Sequence, residues 1–91
     1  MKIAEAGNVE NPCLLAIVSK GYTVYSKIFE GTDGEDPSLW MYATKDGNQF
    51  CSFEGAPGLL GLIHMWELRG NDWQTREDEP FLLGQLPEWT E

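Results

Sequence analysis

"LWMYATKDGNQFCSFE", residues 39–54, is the stretch on which the fold turns. It sets two apolar and aromatic runs on either side of Asp46-Gly47, a pair that readily supplies the positive φ angles of a tight hairpin turn. A turn at those two residues fixes the register: Lys45 faces Asn48, Tyr42 faces Cys51, and Trp40 faces Phe53. Trp40, Tyr42, Cys51 and Phe53 then share one face of the sheet. Leu39, Met41, Ala43, Phe50, Ser52 and Glu54 fall on the other. The first face offers more apolar area and fewer groups that need water, so it is the one expected to receive the helices.

Working outward, "YTVYSKIFE" (22–30) is rich in β-branched and aromatic residues and reads as a first strand, broken by the acidic, turn-rich "GTDGEDP". Before it, Asn11-Pro12 predicts the start of a helix over about 12–20, with Asn11 as cap and Pro12 in the first turn, where no amide donor is needed. Leu14, Ile17 and Val18 form its apolar stripe, and Gly21 is placed to end it. On the other side, "GLLGLIHMWELRG" (58–70) predicts a second helix, with Pro57 near its first turn and Arg69-Gly70 at its end. Leu59, Leu62, Ile63 and Trp66 form the stripe expected on the sheet, while Gly61, Met65 and Leu68 fall on the reverse side. Trp73 is expected to fold back and close the helix end.

Apolar residues on the reverse side of a surface helix need a cover, and so does the tail "PFLLGQLPEWTE" (80–91). The two surpluses are expected to meet: either the tail folds over Gly61, Met65 and Leu68, or one or both surfaces bury in a twofold dimer. The chain thus reads as a single α+β domain over 1–91: helix, three-stranded antiparallel sheet, helix, with a hydrophobic C-terminal tail packed on the second helix or in a dimer interface. Residues 1–10 are expected to be flexible.

Six Lys and Arg against fifteen Asp and Glu give a net charge of −9, which opposes nucleic acid and anionic membranes, since both need cationic neutralisation. The same charge favours encounter with a basic protein surface. With 42% hydrophobic residues, the chain has enough apolar surface to fold. No stretch approaches the roughly 18 apolar residues of a membrane span, and the N-terminus lacks the apolar run of a signal peptide. A cytoplasmic location is expected, with Cys13 and Cys51 as reduced core thiols.

No catalytic motif stands out. The order of elements is similar to that of double-stranded RNA-binding domains, but those place basic residues at the start of the second helix, where this chain has "GAPGLLGL". His64 and Glu67 lie one turn apart, yet two ligands are not a metal site, and no cofactor is implied. Small size and acidity are similar in kind to toxin-immunity proteins and phage-encoded inhibitors. The reading is therefore a non-enzymatic interaction module, which binds a basic protein partner or itself. Its candidate interface is Met65, Leu68, Glu77, Asp78, Glu79, Phe81, Leu83 and Trp89. The alternatives are a small-molecule or metal-dependent site around His64 and Glu67, and a purely structural homo-oligomer.

Overall fold

The computed structural model describes residues 1–88, so Trp89 lies outside the described residues. The elements are α1 (Glu10–Ser19), β1 (Thr23–Phe29), β2 (Ser38–Lys45), β3 (Asn48–Ser52) and α2 (Gly55–Arg69), followed by 3-10 turns at Gly70–Asp72 and Leu82–Gln85. This is the expected α+β order. The sheet is antiparallel throughout in the order β1-β2-β3, with β2 central.

The hairpin forms as the sequence dictates. Asp46 and Gly47 take φ of 52° and 81°, and Lys45 pairs with Asn48 and Tyr42 with Cys51. The face that receives the helices is the opposite of the one expected. Ala43 is 0% exposed in a cluster with Ile17, Tyr22, Leu59 and Ile63, and Met41, Phe50 and Val24 pack against it. Trp40, Tyr42, Cys51 and Phe53 lie on the opposite face, which neither helix covers; only its β3 margin borders α2, at Leu62.

The physical reason is size. A helix settles where the sheet lets its axis come close, and Ala43 and Ser52 are the smallest residues at the inner positions of β2 and β3. At Gly58 the approach is tighter still: a Cβ there would stand 2.7 Å from the Ser52 Oγ. The Ser52 hydroxyl meanwhile accepts the Glu54 amide at 3.0 Å, so this buried polar group is satisfied. Apolar area alone would have favoured the aromatic face; close packing favoured the other.

The two helices lie side by side and run parallel, joined at both ends. The cap expected from Asn11 is absent, because α1 begins two residues earlier, at Glu10, and Val9 at its cap position makes no side-chain bond. Glu10 serves the other helix: its Oε1 accepts the Ala56 amide at 3.0 Å. α2 has no cap of its own from Glu54, so this carboxylate satisfies an orphan donor and sits at the positive end of the α2 dipole. At the far end, Lys20 donates to both Glu67 oxygens at 2.9 and 3.2 Å. Glu10, expected in a flexible leader, therefore belongs to the folded body.

Residues 80–88 do not cover the outer side of α2. Leu68 is 73% exposed, and a Cβ at Gly61 would meet nothing within 4 Å. Phe81, Leu82, Leu83 and Leu86 are exposed as well. What holds the start of the tail is polar. Arg69 grips Glu79 with two hydrogen bonds of 2.6 and 2.9 Å, and Arg76 reaches Asp72 at 2.9 Å. These contacts anchor residues 70–79 to the C-terminal end of α2, and Phe81, Leu82, Leu83 and Leu86 beyond them are exposed among the described residues.

Candidate protein-interaction surface

The outward face of the sheet is a ladder of rings. Alternation along each strand places Tyr25, Lys27 and Phe29 of β1 beside Trp40 and Tyr42 of β2, with Cys51 and Phe53 next in line. Tyr25 and Tyr42, directly opposite, stack with centroids 5.1 Å apart and planes 9° from parallel. Trp40 bridges Phe29 at 6.2 Å and Phe53 at 5.4 Å. Such pairs contribute about 0.5–1.5 kcal/mol each beyond area burial, so the rings support one another without a helix above them. Gln49 donates to the Tyr25 hydroxyl at 2.7 Å, and the Lys27 ammonium lies 4.9 Å from the Phe29 ring centroid. Phe53 is nonetheless 65% exposed.

Between the free edge of β3 and α2 runs a cleft of about 420 Å³. Phe50 and Cys51 form one wall, Leu62, Met65 and Trp66 the other, and Trp73 closes one end beside Asn71. Trp66 is held by its indole N–H, which donates to Asn71 Oδ1 at 3.3 Å, and by edge-to-face contact with Phe50. Trp73 thus returns toward the helix end, as expected, but as part of a cleft wall. A shallower hollow of about 300 Å³ adjoins it on the side of Trp40 and Phe53, and Cys51 and Leu62 border both.

The residues singled out in the sequence are spread over several surfaces. Met65 is half-buried in the cleft, while Leu68 points outward on α2. Glu77 and Asp78 are exposed. Glu79 is only 27% exposed and is committed to Arg69; that hydrogen bond, with a second from the Arg76 amide, lowers its carboxyl pKa to about 2. Phe81 and Leu83 stand in solvent. Both cysteines are free thiols, but Cys51 is exposed on the ladder face and Cys13 half-buried, so neither is the core thiol expected.

His64 is 65% exposed and lies 3.8 Å from a Glu67 oxygen. It borders neither cleft. Glu67 is engaged by Lys20, whose hydrogen bond holds its carboxyl below the usual range. Among the described residues, no three His, Cys, Asp or Glu side chains converge as a metal would require. No helix among them is long and apolar enough to cross a membrane. The Tyr22 hydroxyl, in the core cluster, is pushed above its ordinary pKa chiefly by burial.

The aromatic ladder and the cleft were both missed in the sequence, for one reason: with the helices assigned to the wrong face, the rings read as core. The available signal was the small pair, Ala43 and Ser52, at inner positions. In comparisons with known proteins, the chain matches no family model, no curated protein and no solved structure.

Proposed function

We propose that this chain is a non-enzymatic protein-interaction module, of inhibitor or immunity type, which binds a basic protein surface. The ring ladder of Tyr25, Trp40, Tyr42 and Phe53 is the apolar centre of contact, and exposed acids such as Glu54, Glu77 and Asp78 supply attraction at longer range. The observation that carries this reading is an aromatic sheet face with no helix over it, on a chain of net charge −9. Aromatic residues are favoured as binding anchors, because they bring much contact area at little conformational loss.

The test is affinity capture from the native cell with the parent chain, with Trp40→Ala/Tyr42→Ala, and with Glu77→Gln/Asp78→Asn. A basic partner held by the parent, lost with the ring variant and weakened by salt and by the charge variant would support the reading. A partner held equally by all three, or none, would remove its basis.

A further inference from the structure

The cleft between β3 and α2 opens on a strand edge, not on a face of the sheet. Successive side chains of a strand point to opposite faces, yet Asn48, Gln49, Phe50 and Cys51, consecutive in β3, all line it. What they share along the cleft is backbone. β3 pairs with β2 on one side only, so its other side presents main-chain groups to whatever enters. The segment Asn48–Ser52 also has no charge and no proline, the devices by which natural sheets discourage a second chain from approaching. The other edge strand, β1, carries Lys27.

The hairpin determines which groups those are. A tight turn with positive φ at Asp46 and Gly47 makes Lys45 and Asn48 a hydrogen-bonded pair, and bonded and non-bonded pairs alternate along an antiparallel ladder. Asn48 and Phe50 therefore direct their amides and carbonyls at β2. Gln49 and Cys51 turn theirs outward, and no loop backbone group among the described residues bonds to them. Across the cleft, α2 supplies Leu62, Met65 and Trp66, spaced i, i+3, i+4 as one stripe. We infer that an extended segment of another protein adds to this edge as a fourth strand, its backbone paired with Gln49 and Cys51 and its alternate apolar side chains set against the α2 stripe.

Charge narrows the kind of segment. None of the residues that line the cleft carries a formal charge, whereas exposed acids stand beyond both ends of its strand: Asp46 in the turn and Glu54 just past Ser52. Glu54 also borders the adjoining hollow, which shares Cys51 and Leu62 with the cleft. The segment that fits is uncharged at its centre and carries Lys or Arg on its flanks. A second copy of this chain, at net −9, brings the opposite of what those ends attract. Shape agrees. β3 is five residues, about 17 Å long, and a peptide strand repeats donors and acceptors at that strand's own spacing, which a compact small molecule does not.

The cleft lies at the sheet's edge rather than on its ring face, and its test uses peptides alone, so failure to capture a basic partner leaves this inference untouched. The probe is a phage-displayed library of random peptides selected against the full chain, with the recovered sequences then synthesised. The expected sequences have apolar residues at alternate positions and Lys or Arg at the flanks, and their binding moves the backbone amide resonances of Gln49 and Cys51. N-methylation distinguishes a paired strand from a merely apolar ligand. Methylating one alternate set of peptide amides should weaken binding about tenfold or more, while methylating the other set, which faces away from β3, should leave it nearly unchanged. Equal effects of the two sets would overturn the inference. So would the recovery of no binding peptide, or of peptides that leave the Gln49 and Cys51 amides unmoved. Movement of those two amides on dilution of the chain alone would place a second copy in the cleft and overturn it as well.

Discussion

Replacing Ala43 by leucine asks directly what holds the helices on the sheet. Ala43 is 0% exposed and sits among Ile17, Tyr22, Leu59 and Ile63, so a leucine must force three more carbons into a closed cluster. Overpacking of this kind costs about 1–3 kcal/mol. In a domain of this size each kcal/mol moves the midpoint by about 4–8 °C, so a mid-range loss of about 2 kcal/mol lowers it by about 8–16 °C. Cys51→Ser is the companion: Cys51 is exposed on the far face, and the change should stay within about 0.5 kcal/mol. Thermal unfolding followed by far-UV circular dichroism, at low concentration, reads both. If the helices lay on the ring face, the order would invert, since the introduced leucine would be solvated and a buried serine hydroxyl without a partner would cost about 1–3 kcal/mol. A harmless Ala43→Leu beside a damaging Cys51→Ser refutes the packing described above.

Glu10→Ala should lower stability by about 1 kcal/mol, because it leaves the Ala56 amide without its acceptor at the start of α2; chemical denaturation checks this. Two glycine changes on α2 should differ in sign of benefit. Gly61→Ala, with open space around it, should gain about 0.5–1 kcal/mol, while Gly58→Ala should lose that gain against the Ser52 hydroxyl, read as a difference in melting midpoint. Finally, the Glu79 pKa is lowered to about 2 by Arg69, so its contribution to stability is complete above the ordinary carboxylate pKa and declines as pH falls from about 4.5 toward 2. Acid titration of Glu79→Gln should show a shallower loss over that window than the parent.

Much of the fold was legible because local chemistry dictated it. Asp46-Gly47 fixed the hairpin and its register, and the positive φ of 94° at Gly21 ends α1 where expected. The face of the sheet was not legible from area, because burial depends on how near two backbones can come, and that is set by the smallest residues, Ala43 and Ser52. The role of Glu10 was hidden for a related reason. A cap is usually sought within a few residues of the helix it serves, whereas this one acts across the fold on Ala56. Of the candidate interface, the excess of apolar residues was visible in Met65, Leu68, Phe81 and Leu83, but the ring ladder was not, since exposed and buried aromatics look alike in a sequence.

The packing of the sheet can be read most directly from proton–proton contacts in solution. Nuclear Overhauser spectra of the methyl-labelled chain should connect the Ala43 methyl to those of Ile17, Leu59 and Ile63, and leave the Tyr42 and Trp40 ring protons without contacts to Leu59 or Ile63. Cross-peaks from the Tyr42 or Trp40 rings to Leu59 or Ile63, with Ala43 silent toward the helices, would place the rings inside and contradict the open aromatic face.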